Sequence, residues 1–384
     1  MTGRRDGANP DAGLGRGRAP REAHIRHGSR AAGAATAGGR GGRFPACALM
    51  VLAWLLPAGG TPCAQGEEAS PAFEGARPVS ATSEHLDGTP FKSPQGIYYD
   101  AANDEIFIAD SGNGLIGIFD GRGVPKFTFS PARRGSYPVD MGTDAEGNIY
   151  VAIAGSRLLR IFNYRGEPLR EIDVSEVRGV RGAPAGVAVS PEGVVYLLDS
   201  LGKRILIYGR DGELLSVIQG SGRGGERLQA PTAIALAPDG DLYVTDNRGP
   251  AVQVYSTTGR YLRGWGRKGM GRGDFSVPGG IAVDEKGLVY VTDIQKQEIR
   301  VFDAAGRSVG SFGTIGRQAG QFGYPSDIAA GAGRLFVVER VNRRIQIFER
   351  LALEGEPERA PAGVSTPEAG EGAAEGDRGA PVSH

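Results

Sequence analysis

Histidine and cysteine are scarce in this chain of 384 residues, which has four histidines and two cysteines. Residues 91–350 contain neither, because the six occur at His24, His27, Cys47, Cys63, His85 and His384. That stretch cannot build a zinc site of the usual imidazole and thiolate ligands, nor a Ser-His-Asp or Cys-His catalytic arrangement. There is no Cys-x-x-Cys-His motif, which excludes covalently attached c-type haem.

The chain also has no excess of charge of either sign, since 44 lysines and arginines balance 44 aspartates and glutamates. A generally basic nucleic-acid binder and an acidic solvating chain are therefore disfavoured. No segment has the apolar spacing of a convincing amphipathic helix. Glycine and proline are abundant instead, with 63 and 24 copies. Their combined share lies just below the range that indicates disorder in a chain without repeats. The deciding question is therefore whether the glycines recur periodically.

Both ends of the chain have a composition that cannot form a core. Residues 1–43 are rich in Arg, Gly and Ala, and residues 354–384 are rich in Ala, Gly, Pro, Glu and Ser. With few large apolar side chains to bury, both segments are predicted to be disordered.

An apolar run, FPACALMVLAWLLPAGG from Phe44 to Gly60, follows the basic leader. It is shorter than the ~20 residues that a membrane span needs, and we interpret it as a signal peptide. Residues 1–64 are therefore assigned to leader and signal, and residues 65–76 to a linker. The mature chain is expected to be exported, to the periplasm or the extracellular space, without a transmembrane span. Lipid attachment at Cys63 is an alternative that the preceding proline disfavours.

The region between the ends is built from six repeats. Each repeat begins with a proline before a short apolar run, with successive spacings of 44, 46, 47, 47 and 47 residues, at Pro94, Pro138, Pro184, Pro231, Pro278 and Pro325. An acidic residue follows in five of them, at Asp110, Asp199, Asp246, Asp293 and Glu339. Alternating apolar stretches separated by glycine turns predict four short strands per repeat. Four strands in ~45 residues are typical of one β-propeller blade, so six repeats predict six blades.

The recurring motifs Pro-x-Gly-Ile-Ala-Val-Asp, Gly-x-Ile-Tyr-Val-x-Asp and Arg-Ile-x-Val-Phe resemble the NHL repeat over residues 91–350. The resemblance implies an all-β fold, a six-bladed β-propeller, which we assign to residues 77–353. The NHL family includes peptidyl-hydroxyglycine amidating lyases with a His-coordinated metal, and this chain lacks those histidines. NHL domains of tripartite-motif proteins bind single-stranded RNA, but export disfavours a nucleic-acid partner here.

The last repeat has sequence for three strands only, whereas the segment from Arg77 to Asp87 precedes the first repeat and has the length of a strand. We predict that this N-terminal strand completes the sixth blade, because joining both ends of the repeat array in one blade removes open edges.

Two carboxylates differ from the repeat pattern. Asp140 and Asp327 stand two residues after the marker proline, where the other repeats have glycine or alanine. Such positions approach the channel of a propeller, so these two are the weak candidates for a hard cation such as Ca²⁺ or Mg²⁺; a structural role is the simpler interpretation. The acids that recur in five repeats are interpreted as turn-forming, because aspartate accepts backbone N–H bonds. We expect no cofactor and no catalytic residue.

The charge is predicted to be polarised between the two faces of the ring. Loops that join strand 2 to 3 and strand 4 to 1 are net basic, and loops that join strand 1 to 2 are net acidic. We predict an exported, non-catalytic binding or scaffold propeller whose basic loop face binds a protein or another anionic partner, a glycan or a lipid. A merely solvated basic rim and a metal-dependent hydrolase or lactonase are the alternatives. The candidate binding residues are Arg134, Arg181, Arg204, Arg223, Arg248, Arg267, Lys268, Arg272, Arg317 and Arg340.

Overall fold

The computed structural model describes residues 74–131, 137–174, 176–177, 179–219, 227–269, 271 and 274–352. These residues form strands and turns, with no helix among them, and hence none with the length and apolar character to cross a membrane. The predictions for the leader, the signal peptide and the C-terminal tail concern residues outside this set. Outside it as well are Arg134, Arg223, Arg272 and the side chain of Arg181.

The described residues contain six four-stranded antiparallel sheets. The first strand, β1 (Ala76–Thr82), precedes the repeats. Blade 1 comprises β2 (Pro94–Asp100), β3 (Glu105–Asp110), β4 (Leu115–Asp120) and β5 (Pro125–Phe129). Blade 2 comprises β6 (Tyr137–Thr143), β7 (Ile149–Ala154), β8 (Leu158–Phe162) and β9 (Pro168–Asp173). A short pair, β10 (Glu176–Val177) and β11 (Val180–Arg181), precedes blade 3, which comprises β12 (Pro184–Val189), β13 (Val195–Asp199), β14 (Arg204–Tyr208) and β15 (Leu214–Ile218).

The second half of the ring repeats this plan. Blade 4 comprises β16 (Pro231–Leu236), β17 (Leu242–Asp246), β18 (Val252–Tyr255) and β19 (Tyr261–Trp265). Blade 5 comprises β20 (Pro278–Val283), β21 (Val289–Asp293), β22 (Glu298–Phe302) and β23 (Ser308–Phe312). A second short pair, β24 (Thr314–Ile315) and β25 (Gln321–Phe322), precedes blade 6, which contains β26 (Pro325–Gly331), β27 (Arg334–Glu339) and β28 (Arg344–Arg350).

The N-terminal strand completes the last blade, as the sequence predicts. β1 pairs antiparallel with β28, from Ala76 opposite Arg350 to Thr82 opposite Ile345. Blade 6 therefore has the strand order β1-β28-β27-β26, with its outermost strand supplied by the start of the repeat region. Because the inner strand β26 also contacts β2 of blade 1, the two ends of the repeat array meet and the ring is closed.

The core of the described residues lies between the blades. Buried apolar side chains form six separate clusters, one between each pair of neighbouring blades. The second strand of a blade is buried on both faces, as in β13, of which all five residues are buried. β-Branched and aromatic residues fill these layers because they fit a pleated surface covered on both sides. Each blade is therefore stabilised mainly by its two neighbours.

The sequence suggested that His85 belongs to the closing strand, within the segment from Arg77 to Asp87. In the structure β1 ends at Thr82, and His85 packs against blade 1 instead. Its imidazole is buried, with Nε2 3.2 Å from Oδ2 of Asp110 and the ring edge-on to Phe91 at a centroid distance of 4.9 Å. Gly117 leaves room for it, because a Cβ there would lie 2.8 Å from the imidazole Nδ1. The segment between β1 and β2 is thus anchored to the first blade by a buried polar contact, and β1 itself is paired with the last blade.

The innermost strands are irregular directly after the marker proline. The pairing of β6 with β7 shifts between Pro138 and Asp140, and that of β26 with β27 shifts between Pro325 and Asp327. The inner strands of the other four blades shift near the same point. A β-bulge bends a strand and re-aims the side chains beside it. In blades 2, 4, 5 and 6 the residue two after the proline lines the central channel: Asp140, Ala233, Gly280 and Asp327.

Candidate functional site

The central channel contains two cavities that meet at a carboxylate waist. The larger, here called the lower cavity, has a volume of about 700 Å³ and opens towards loops that join strand 1 to strand 2. The smaller, here called the upper cavity, has a volume of about 380 Å³ and opens towards loops that join strand 2 to strand 3. Asp140, Ala233 and Asp327 line both cavities and so define the waist.

Each waist carboxylate bridges its own inner strand to that of the next blade. Asp140 accepts hydrogen bonds from the backbone N–H groups of Val187 at 2.8 Å and of Met141 at 2.9 Å, one on each oxygen. Asp327 accepts in the same way from Ile97 at 3.0 Å and from Ile328 at 2.9 Å. The two aspartates therefore have equivalent places in blades 2 and 6, and both help to join neighbouring blades, which supports the structural interpretation.

The glycines at the equivalent positions are required by the close approach of the strands. A Cβ on Gly280 would lie 2.0 Å from Oδ1 of Asp327, and a Cβ on Gly96 would lie 2.3 Å from the backbone oxygen of Val139. The waist can hold large side chains in two of the six blades only because their neighbours have none there. This steric requirement holds at Gly96 and Gly280; a Cβ on Gly186 would keep 3.3 Å from its nearest neighbour, and blade 4 has an alanine at this position.

Burial raises the pKa of both waist carboxyl groups. The pKa of Asp140 lies well above its usual range, first because of burial and second because of the nearby charge of Asp327. Burial also raises the pKa of Asp327 to about 7, although the backbone N–H groups of Ile97 and Ile328 act to lower it. Two carboxyl groups that interact in this way titrate as a pair. At neutral pH the waist therefore holds protons that ordinary aspartates would have released.

Replacing Asp327 with Asn is expected to weaken a pH dependence of stability. A carboxyl group whose pKa rises on folding, here from 3.8 to about 7, binds its proton more tightly in the folded state. Its stabilising contribution is complete below about pH 4 and is lost as the pH rises to about 7, with a slope of up to ~1.4 kcal/mol per pH unit. Urea unfolding of Asp327→Asn across this range should show a shallower fall than the wild type. The exposed Glu213→Gln variant is the control and should keep the wild-type slope; parallel curves for Asp327→Asn and wild type would contradict this assignment.

The waist alone offers little to a metal ion. Among the described residues, no group of three or more His, Cys, Asp and Glu side chains is arranged to hold one. Ca²⁺ takes six to eight oxygen ligands and Mg²⁺ takes six in near-octahedral geometry. Asp140 and Asp327 are thus the residues that could bind a hard cation here, and most of its coordination sphere would have to come from water or a ligand.

The acids that recur in the repeats are structural. Antiparallel strands place the loops that join strand 2 to 3 and strand 4 to 1 at the same end of every blade, here called the upper face; the opposite end is the lower face. At the upper face the second strands end in side chains that are at most 1% exposed: Asp110, Asp199, Asp246, Asp293 and Glu339. Each accepts hydrogen bonds from backbone N–H groups of the loop that enters its own blade, as Asp246 does from Gln229 and Ala230. The turn-forming interpretation is confirmed, and these carboxylates add no exposed negative charge to the upper face.

Five of the ten candidate binding residues are exposed on the upper face: Arg248, Arg267, Lys268, Arg317 and Arg340. The structure brings one of them, Arg340, into the lining of the upper cavity together with Asp140 and Asp327. The guanidinium of Arg340 donates to the hydroxyl of Ser93 at 2.9 Å and lies over the ring of Tyr324 at 5.8 Å. The other four surround the channel without lining it, and Arg267 is also paired with Asp274 at 3.1 Å.

Arg204 does not belong to the exposed set, which corrects the sequence-based selection. Its side chain is fully buried, with Nε 2.8 Å from Oδ2 of Asp199 and Nη1 2.7 Å from the backbone oxygen of Val177. The first residue of β14 lies directly opposite Asp199 in the sheet register, so the guanidinium neutralises a buried acid and cannot reach a partner.

The repeat motifs alone do not reveal the walls of the lower cavity. They are formed by apolar side chains of the innermost strands, such as Ile97, Val187 and Ile281, and by the rings of Tyr98 and Tyr196. One signal was available: none of the six innermost strands contains Lys, Arg or His, although two of them contain a waist aspartate. This absence of basic residues indicates a cavity wall without positive charge only when those strands are known to face a common channel.

Comparisons with known proteins agree with this architecture. A family described as a six-bladed β-propeller matches residues 228–313, and the NHL repeat matches residues 91–119. Similar solved structures include a streptogramin B lyase, at 16% identity over 71% of this chain and 97% of that one, with a TM-score of 0.53. Virginiamycin B lyase from Staphylococcus aureus is 18% identical over 72% of this chain and 89% of that one, with a TM-score of 0.52.

A protein of unknown function from Bacteroides thetaiotaomicron VPI-5482 is also similar, at 17% identity over 71% of this chain and 73% of that one, with a TM-score of 0.56. No curated protein sequence matches the chain. At these identities the solved structures share the fold and carry no activity over to this chain. The repeats, the closed ring and the two matches together lead to one conclusion: the chain folds as a six-bladed β-propeller and contains an NHL repeat.

Proposed function

We propose that this chain is an exported binding propeller whose upper face docks an acidic protein partner. The observation that carries the proposal is the asymmetry of burial on that face. The acids that end the second strands are buried and hydrogen-bonded, whereas the basic side chains Arg248, Arg317 and Arg340 are exposed on this face, and Arg340 lines the upper cavity. A face with exposed charge of mainly one sign steers and orients a partner of the opposite sign.

Exposed apolar side chains on the same face favour a protein over a glycan or a lipid headgroup. Large apolar residues in the upper-face loops and strand ends have exposed fractions between 37% and 71%: Tyr137, Leu201, Ile315, Tyr324 and Val341. Arginine and tyrosine beside aliphatic side chains are typical of protein interfaces, in which an apolar centre is surrounded by a polar rim. A glycan or a headgroup would use the charges and leave most of this apolar area uncovered.

Reversing three exposed charges is expected to abolish docking. The variant Arg248→Glu/Arg317→Glu/Arg340→Glu converts the upper face from attraction to repulsion of an acidic partner, and we expect at least a ~100-fold loss of affinity from three interfacial charges. The measurement is cross-linking in the native envelope from a photo-reactive residue at position 201 or 341, with identification of the adduct. A discrete acidic protein should be captured by the wild type and lost in the variant.

The matched control is Arg122→Glu/Arg165→Glu/Arg260→Glu, which changes the net charge by the same amount on exposed turns of the lower face. Capture should persist in this control, since these turns lie at the other end of the blades. Equal loss in both variants would mean that net charge alone attracts the partner. Binding to heparin or to anionic vesicles as strong as to any protein would identify a glycan or a lipid instead and overturn the proposal.

A metal-dependent hydrolase remains the second candidate, because both waist carboxylates face the channel. Its test is metal analysis of the purified protein after equilibration with Ca²⁺ or Mg²⁺. A stoichiometric ion that is lost in Asp140→Asn supports this candidate. A metal-free ring at millimolar concentrations of the ion rules it out.

A further inference from the structure

The lower cavity has the volume and walls of a small-molecule site. Its volume of about 700 Å³ lies within the roughly 300–1,000 Å³ typical of ligand pockets, which have mostly apolar walls and a few convergent polar groups. Ile97, Val187 and Ile281 supply aliphatic walls, and Tyr98 adds an aromatic ring. The ring of Tyr98 is half-buried and its hydroxyl accepts a bond from the hydroxyl of Thr143 at 3.2 Å, so the polar tip is held in place.

The polar groups at the floor of this cavity carry charge of one sign. Asp140 and Asp327 form the floor, Glu192 lies in the lining as an exposed carboxylate, and no Lys, Arg or His side chain is among the described residues that line the cavity. Each floor oxygen accepts one backbone N–H bond, and a carboxylate oxygen can accept a second. Carboxylates removed from water are neutralised by a cationic partner or by a proton, and no cationic side chain among the described residues of this lining supplies the first.

We propose that the lower cavity binds an organic ammonium ion, whose N–H groups donate to Asp140 and Asp327 and whose apolar body packs against the walls. An ammonium group can donate its N–H groups to the two carboxylates and needs no further ligand. A metal ion needs additional oxygen ligands, which the aliphatic walls do not supply. The ring of Tyr98 lines the same cavity, and aromatic rings attract cations. The upper cavity is excluded as the site because Arg340 lines it.

Protonation of the floor makes this binding depend on pH. The pKa of Asp327 is raised to about 7 and that of Asp140 is raised well above its usual range, so the floor is partly protonated at neutral pH. A bound ammonium ion favours the ionised carboxylates. Binding therefore releases protons, and the affinity should rise with pH until the floor is fully ionised.

The test uses three probes with one apolar body and different heads: naphthylmethylamine, naphthylmethanol and naphthoate. Titration calorimetry of the full chain should show the amine bound at least tenfold more tightly than the alcohol, and no binding of the carboxylate. The affinity for the amine should rise by at least tenfold between about pH 5 and about pH 8, because Asp327, with a pKa of about 7, ionises in this range. Proton release, measured from the dependence of the heat on the buffer, should accompany binding.

Two isosteric variants and one control locate the site. Asp140→Asn and Asp327→Asn should each weaken amine binding at least tenfold, whereas Glu213→Gln, an exposed carboxylate that does not line the cavity, should change it less than twofold. Because both aspartates accept backbone hydrogen bonds, thermal unfolding must first show that the variants are folded. If either variant is not folded, the proposal is decided by the wild type alone, from the pH dependence of amine binding and the ratio of amine to alcohol affinity. Equal binding of amine and alcohol, no proton release, or no binding of any probe overturns the proposal, as does competition by Ca²⁺.

This inference is independent of the proposed docking function. The variant Arg248→Glu/Arg317→Glu/Arg340→Glu should retain amine binding within about twofold, because all three side chains lie at the upper face and none lines the lower cavity. Loss of amine binding in that variant, with the fold intact, would place the amine in the upper cavity and contradict the assignment.

Discussion

Deletion of residues 74–90 is expected to unfold the whole propeller. The deletion removes β1, whose six residue pairs with β28 supply the outermost strand of blade 6, and it removes His85 from its buried contact with Asp110. Each hydrogen bond contributes about 0.5–1.5 kcal/mol net, and the opened blade exposes the edge of β28. The summed loss of ~5 kcal/mol or more is comparable with the total stability of a typical domain. Guanidinium unfolding followed by circular dichroism measures the effect.

Removal of residues 354–384 is the matched control for this deletion. The sequence predicts that this acidic tail has too few large apolar side chains to take part in a core, and the described strands end before it, at Arg350. Its removal should leave the unfolding midpoint unchanged. If the N-terminal deletion variant is as stable as the wild type, the ring closes without β1. That result would contradict the closure described here.

Substitution of Arg204 by alanine is expected to cost about 3–5 kcal/mol of stability. The guanidinium is fully buried and bonded to Asp199 and to the backbone oxygen of Val177. Truncation leaves the equally buried carboxylate without its cationic partner, and removal of one member of a buried pair is strongly destabilising for that reason. Urea unfolding at neutral pH is the measurement. The Arg204→Lys variant should recover part of the loss, since it keeps the charge but not the second donor to Val177.

Arg248→Ala is the control for this substitution. Arg248 also follows the acid that ends a second strand, but its side chain is exposed. Exposed substitutions away from special contacts usually change stability by less than ~0.5 kcal/mol. Equal effects of the two substitutions would mean that Arg204 is not a structural residue. The pair of variants therefore separates the basic residues that hold blades together from those available to a partner.

The comparison of Arg204 with Arg248 also shows where sequence reasoning ends. Both are basic residues in the loop region after a second strand, and both fit the same predicted basic face. Their environments differ because Arg204 is the first residue of β14, in register with Asp199, whereas Arg248 lies in a turn before β18 begins at Val252. A shift of a few residues between strand and turn decides between burial and exposure. That shift is set by pairing across the sheet, which the local sequence does not encode reliably.

His85 makes a second contact of the kind that the local sequence does not predict. The sequence excludes imidazole chemistry in the repeats, and that exclusion concerns residues 91–350. The structure nevertheless inserts this imidazole into blade 1, into the space that Gly117 leaves. The contact joins residues that are 25 positions apart in the chain. Their meeting depends on how the segment after β1 turns towards the first blade.

The sequence by itself determined the number of blades, the strands in each blade, the closure by an N-terminal strand and the absence of histidine and cysteine chemistry from the repeats. These properties follow from the period of the repeats and from alternation within about ten residues, which local steric and hydrophobic preferences enforce. Only the tertiary structure decided that Asp140 and Asp327 share one waist, that apolar walls without a basic side chain lie on one side of it, and that Arg340 lies on the other. The reason is physical: the ring brings side chains from blades far apart in the chain to one axis, and burial there raises the pKa of groups that would be ordinary aspartates in the unfolded chain.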